Sequence, residues 1–214
     1  MKITFKSMKN SKITTLLFIG YLTLSGFSNY NIDEMQNKNL KEVTFGAGCF
    51  WCIEAVFEEL KGVVSVESGY SGGSILNPTY KQICTGTTGH AEVARIIYNA
   101  DVISFKELLE VFWQTHDPTT LNRQGNDIGT QYRSAIFYHD TSQKEQAEHY
   151  KNELNKSGAF SNTIITEISP LINYFKAENY HQNYYSLNPN QGYCQYIIAP
   201  KMEKFRKAFK EKLK

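Results

Sequence analysis

A chain of 214 residues holds one domain of ordinary size with room for a leader or tail. With 41% apolar and 14% aromatic residues it can bury a core, and a net charge of +2 gives no electrostatic basis for nucleic-acid binding. Four cysteines, Cys49, Cys52, Cys84 and Cys194, are too few and too widely spread for a disulfide scaffold, so they read as redox-active or buried thiols.

The N-terminal MKITFKSMKNSKITTLLFIGYLTLSGFSNYN sets Lys2, Lys6, Lys9 and Lys12 ahead of an apolar run that is short for a membrane span. Residues 1–28 therefore read as an export signal, with an uncleaved anchor as the alternative. A polar linker follows over 29–41, and the folded domain is expected over 42–201. Export implies the periplasm or the extracellular space, where disulfides form and persist. The basic segment 202–214 reads as a solvated amphipathic helix.

EVTF is a short strand signal that ends at Gly46 and Gly48. From Cys49 the pattern turns helical, with Phe50, Ile53, Phe57 and Leu60 at helical spacing and Gly62 as the stop. VVSVESGY alternates as a strand does. SGGSILNPTY is turn chemistry, YKQICTGTTGH a short helix or loop, and AEVARIIY a strand. SFKELLEVFWQTH opens with a capping box, Ser104 with Glu107, and Asp117-Pro118 ends it. A polar loop leads to the strand YRSAIFYH. A second capping box, Ser142 with Glu145, is expected to open a helix to about residue 155, followed by the strand NTIITEIS. Beyond Pro170 the chain reads as an aromatic, loop-rich tail. This order predicts an α/β (α+β) two-layer sandwich with a ferredoxin-like core and a mixed sheet. The loops 117–130 and 170–194 are long enough to expect function there.

Cys49 follows a strand and a Gly-Ala-Gly turn at the mouth of a helix. Amide groups and the positive end of the macrodipole there favour a thiolate, so a lowered pKa is expected. Phe50 shares the apolar stripe and fits core packing, while Trp51 lies off it and could wall a pocket. Glu92, just inside a strand, is either a solvated strand residue or, aimed into an aromatic cleft, a carboxyl that keeps its proton and acts as a general acid. Tyr80 and Tyr132 offer phenolic donors at loop edges, or half-buried packing. Asp127 sits among turn formers and fits an Asx turn. Cys194, on the loose tail beside Gly192, suits a resolving thiol that swings in. Cys84 reads as core, and Cys52 stands one turn after Cys49 as another partner.

GAGCFWCIEAVFEELKGVVSVESGYSGG, NPTYKQICTGTTGHAEVARIIY, HDPTTLNRQGNDIGTQYRSAIFY and NPNQGYCQYIIAPK together resemble the A-type peptide methionine sulfoxide reductases over roughly residues 42–201. The resemblance implies that Cys49 is the nucleophile and that Phe50 and Trp51 hold the substrate's terminal methyl group. It implies Glu92 as the acid that protonates the sulfoxide oxygen, with Tyr80, Asp127 and Tyr132 around that oxygen. It also implies Cys194 as the resolving thiol and a monomer that acts on oxidised proteins or peptides, with no prosthetic cofactor or metal and a thioredoxin-like dithiol as reductant. Many members carry glycine where this chain has Cys52, so CFWC offers a second resolver. A one-turn Cys49–Cys52 disulfide is expected to be disfavoured because both residues stand on a rigid helix.

Two other readings compete. Cys-Phe-Trp-Cys at a helix start also fits a thioredoxin-like disulfide oxidoreductase, which would need a cis-proline beside the thiols; Pro78, in a Tyr-bearing turn, is the only nearby candidate. A zinc domain built from Cys49, Cys52, Cys84 and His90 would lack a second close ligand pair.

Overall fold

The computed structural model describes residues 39–214. The segment read as an export signal, residues 1–28, and the expected linker up to residue 38 lie outside them. Strand β1 (Leu40–Ala47) leads into helix α1 (Phe50–Glu58) and strand β2 (Val63–Ser71). One turn of helix, α2 (Tyr80–Ile83), precedes β3 (Ala91–Asn99), and α3 (Phe105–Thr115) follows. A small hairpin, β4 (Arg123–Gln124) and β5 (Asp127–Ile128), precedes β6 (Ser134–Tyr138), α4 (Thr141–Ser157) and β7 (Glu167–Pro170). The tail contributes β8 (Phe175–Lys176), α5 (Tyr184–Leu187) and α6 (Ala199–Ala208).

The main sheet runs β7-β6-β1-β3-β2-β8, antiparallel except for the parallel β6–β7 pair. Its central four strands, joined through α1 and α3, have the ferredoxin-like order, and the sheet is mixed as expected. The period of two decides which side chains enter the main core. Ala94, Ile96 and Tyr98 of β3 join Phe45, Phe57 and Phe112 on the helical side, and Glu92 belongs to the same alternation. Ala91 and Val93 face the opposite side, where Ala135, Phe137, Leu171 and Tyr174 cover them.

The capping box at Ser104 forms as its sequence dictates: Ser104 Oγ accepts the Glu107 N–H at 3.3 Å and Glu107 Oε2 accepts the Ser104 N–H at 2.9 Å. The second does not. Helix α4 is capped two residues earlier by Asp140, whose Oδ1 accepts the Gln143 N–H at 2.8 Å. The expected strand over NTIITEIS shortens to β7. The Ile164 N–H is taken by Asn155 Oδ1 at 2.8 Å and the Ile165 N–H by the Pro118 carbonyl at 2.9 Å, so the donors a ladder needs are already used. β6 begins at Ser134, and Tyr132 closes the 3-10 turn Thr130–Tyr132 ahead of it.

The tail is more ordered than its sequence suggests. Gln182 clamps β2 from the side: its Oε1 accepts the Ser68 N–H and its Nε2 donates to the Ser68 carbonyl, both at 3.0 Å. Helix α6 buries Met202 and Phe205, joined by Phe209 beyond its end. Arg206 pairs with Glu59 (Nε to Oε2 2.9 Å) and Lys212 with Glu107 (2.7 Å), while Leu213 bridges to Leu60. Among the described residues, no helix is long and apolar enough to cross a membrane.

Candidate active site

Gly48 makes the turn into α1 at φ +87°, a left-handed conformation that a side chain would strain. Cys49 then sits at the N-cap with φ −58° and ψ 124°, off the helix, and the Cys52 N–H donates to its carbonyl at 3.1 Å. Only Cys52 is a helical residue. The premise that both cysteines stand on a rigid helix is therefore corrected, and with it the geometric objection to their pairing. Their thiols are close enough to shift each other's titration.

The expected lowering of the Cys49 pKa is reversed. Burial pushes the thiol well above its ordinary value, and the neighbouring Cys52 thiol and Glu92 add to the rise. Cys49 is only 7% exposed and the helix mouth does not outweigh that desolvation. Cys52 is displaced downward instead, by the neighbouring Cys49 thiol and then by the ammonium of Lys201, against its own burial. Both thiols open onto a cavity of about 210 Å³ bounded by Gln124, Asp127, Tyr193 and Lys201.

Glu92 is buried and aimed at the start of α1. Its Oε2 accepts the Phe50 N–H at 3.1 Å, an orphan donor of the first turn. Burial raises its pKa to about 8, against the lowering effect of that hydrogen bond, so the carboxyl is protonated at neutral pH. The phenols of Tyr80 and Tyr132 are pushed up first by burial and then by the Glu92 charge, which puts both in its electrostatic neighbourhood. Both keep their protons as donors.

An aromatic box closes over this group. Phe50 is buried against Tyr70, Tyr80 and His181, with ring centroids 5.9, 6.3 and 4.9 Å away. Trp51 is half-buried and stacks on Tyr184 at 3.7 Å and 8°. Its indole N–H donates to His181 Nδ1 at 3.2 Å. Glu178 fastens the tail beneath the box, accepting the Tyr70 hydroxyl at 2.9 Å and the Tyr80 N–H at 2.8 Å. Asp127 lies on the thiol side, where its Oδ2 accepts the Tyr193 hydroxyl at 2.6 Å.

Cys49, Phe50, Trp51, Tyr80, Glu92, Asp127 and Tyr132 thus converge on one site. Cys194 packs near it, fully buried at the head of a π-type turn, Cys194–Ile198, rather than on a loose loop. All four cysteines are free. Cys84 is exposed, not core: α2 is a single turn whose buried residue is Ile83, and the next position faces solvent. His181, Tyr184, Tyr193 and Glu178 were not singled out from sequence; the only signal for them was the aromatic density of ENYHQNYYSLNPNQGY. Cys49, Cys52, Cys84 and His90 are not gathered into a metal-ligating group.

A buried cysteine, a protonated acid and a cluster of aromatic rings suit displacement at an electrophilic sulfur. A family model described as peptide methionine sulfoxide reductase matches residues 41–213. The peptide methionine sulfoxide reductase MsrA of Natronomonas pharaonis is 52% identical over 170 residues, spanning 79% of this chain and 96% of the relative. That of Nautilia profundicola is 51% identical over 175 residues, spanning 82% and 99%. Among solved structures, methionine sulfoxide reductase A of Corynebacterium diphtheriae is 40% identical with a TM-score of 0.65, covering 73% of this chain and 78% of that one. The reduced form of Mxr1 from Saccharomyces cerevisiae is 36% identical with a TM-score of 0.67, covering 73% and 90%. On the convergence of these residues and on likeness over nearly the whole length of its relatives, the chain belongs to the peptide methionine sulfoxide reductase family, A type, and is an oxidoreductase acting on methionine sulfoxide.

Proposed function

We propose that the protein reduces the S epimer of methionine sulfoxide, protein-bound and free, through a sulfenic acid on Cys49. The observation that carries this reading is the neutral, buried Glu92 held by the amide of the residue next to Cys49. Its Oε2 is committed to that amide, which leaves Oε1 to face the sulfoxide oxygen. Glu92 gives its proton to that oxygen, and Tyr80 and Tyr132 donate hydrogen bonds as the charge develops. The sulfur becomes electrophilic, Cys49 attacks it, and the Cys49 thiol proton replaces the one Glu92 gave. The oxygen, now a hydroxyl, passes to the Cys49 sulfur: the substrate S–O bond and the new S–S bond break, a Cys49 S–O bond forms, and methionine departs, leaving Cys49 as a sulfenic acid. The box of Phe50 and Trp51 receives the substrate methyl and excludes hydrated groups.

Cys52 then condenses with the sulfenic acid, expelling water and forming a Cys49–Cys52 disulfide. The Cys52 N–H donated to the Cys49 carbonyl, the mutual influence of the two thiols and the N-cap position of Cys49 support this choice. Two electrons have passed from the dithiol to the sulfoxide. An external thioredoxin-like dithiol attacks the disulfide and restores both thiols. Export directed by residues 1–28 belongs to the same proposal. Turnover of the two separated sulfoxide epimers with a dithiol, before and after Cys49→Ser, tests it. The S epimer alone is expected to react, and only with Cys49 present; equal rates from both proteins overturn the mechanism.

A further inference from the structure

One buried acid near the site is not used by the chemistry above. Glu54 stands on α1 one turn beyond Phe50 and is only 1% exposed. Neither carboxyl oxygen completes a hydrogen bond, and the Ser68 hydroxyl is likewise unpartnered. The backbone N–H groups of Asn183 and Tyr184 and that same hydroxyl stand close enough to the carboxyl to favour its charge, without completing a hydrogen bond. Asn183 adopts a left-handed conformation, φ 53° and ψ 31°, to present the start of α5 there. An unsatisfied buried carboxyl is expensive, and its retention calls for a reason.

The segment it meets has three anchors in four residues. His181 accepts from Trp51, Gln182 is clamped on Ser68, and Tyr184 lies flat on Trp51. The Glu54 carboxyl faces the Asn183 and Tyr184 amides at the last of these. We infer that Glu54 is a positioning residue for the outer wall of the methyl slot. Ionised, it accepts from the Asn183 and Tyr184 amides and draws the 181–187 segment in, pressing Tyr184 onto Trp51. Protonated, it offers a hydrogen toward donors and the wall loosens. The inference rests on the reading of Trp51 as a wall of the substrate slot.

The surroundings set the pH at which this happens. Besides the amides, Glu54 is faced by Glu58 and Glu59 of its own helix, by Arg206 of α6, by Tyr185 of α5 and by Tyr174 from the segment before β8. Arg206 is occupied by Glu59 and does not neutralise Glu54. Burial, with Glu58 adding to it, raises the Glu54 pKa to about 7. The wall therefore firms as pH rises through neutrality.

Fluorescence of Trp51 reads this without any catalysis, with Trp51→Phe identifying its share of the signal. The wild-type signal is expected to titrate with one midpoint near pH 7 and another below the ordinary histidine value, from His181. Glu54→Gln is expected to remove the first and keep the second. It is also expected to raise KM for a methionine sulfoxide peptide about fivefold at pH 8 with kcat little changed, as loss of one net hydrogen bond would. An unchanged midpoint near pH 7 in Glu54→Gln, or an unchanged KM, overturns the inference. If that variant does not fold, Tyr184→Leu must abolish the same component, and its survival there is equally fatal. Because the titration needs no turnover, it separates failure of this inference from failure of the proposed mechanism.

Discussion

The carboxyl of Glu92, from the middle of the sheet, accepts the backbone N–H of Phe50, the residue beside the nucleophile, at 3.1 Å. One hydrogen bond therefore satisfies a first-turn amide and sets the distance between the acid and Cys49.

Glu92 has its pKa raised to about 8, so its neutral form, the form that can donate, prevails below that pH. kcat/KM is expected to fall as pH rises through about 8. Glu92→Gln keeps an acceptor for the Phe50 amide but loses the acid, and about a 10²–10⁴-fold drop in kcat is expected. The stability effect has the opposite sign. A carboxyl whose folded pKa is raised loses stability as pH climbs from its unfolded value to its folded one, so wild type should melt lower at pH 9 than at pH 6, and Glu92→Gln should flatten that slope.

The cysteine assignments divide turnover into two halves. Cys49→Ser should release no methionine. Cys52→Ser should release about one equivalent of methionine in a single turnover and then stall with thioredoxin-like reductants, while Cys194→Ser should keep cycling. Rapid-quench methionine release and mapping of the oxidised wild-type disulfide check this. A mapped Cys49–Cys194 bond would restore the assignment first read from the sequence.

Gly48 carries φ +87°, and a methyl placed there would meet the Cβ and Cγ of Gln124 at 2.6 Å. Gln124 is not free to yield, since it accepts the Asp117 N–H at 3.1 Å and donates to the Asp117 carbonyl at 3.0 Å. Gly48→Ala should therefore lose at least about 1–2 kcal/mol from the backbone conformation alone. Urea denaturation measures the loss, and the rate of Cys49 alkylation reports the accompanying shift at the thiol.

His116 is buried between the Phe112 carbonyl (Nδ1, 2.7 Å) and Ser134 Oγ (Nε2, 2.7 Å). Desolvation holds its pKa down to about 4 against an ordinary 6.5. A base with a depressed folded pKa contributes stability that is present above 6.5 and is lost as pH falls toward 4. The span corresponds to roughly 3 kcal/mol. Acid unfolding followed by circular dichroism should begin in that window, and His116→Gln should shift it to lower pH.

The sheet, its two crossover helices and the positions of Cys49 and Glu92 were legible because each is written locally, in alternation, in helical spacing and in glycine turns. The rest depended on the tail. His181, Tyr184 and Tyr193 follow no period, and they enter the site only because Gln182 and Glu178 fix the chain against β2 and Tyr80. The direction of the Cys49 shift was missed for a related reason. Position at a helix mouth is visible in sequence, whereas the burial that outweighs it comes from residues far along the chain. The Asp140 cap of α4 lay two residues from the expected one, and both sites carry suitable side chains, so propensity alone could not choose.

The segment bearing Cys194 is moored at both ends, by Gln182 on the sheet and by Leu213 beside Leu60. It behaves as a rope bridge and not as a whip. Any travel by Cys194 toward the other thiols is limited to the slack between these two moorings.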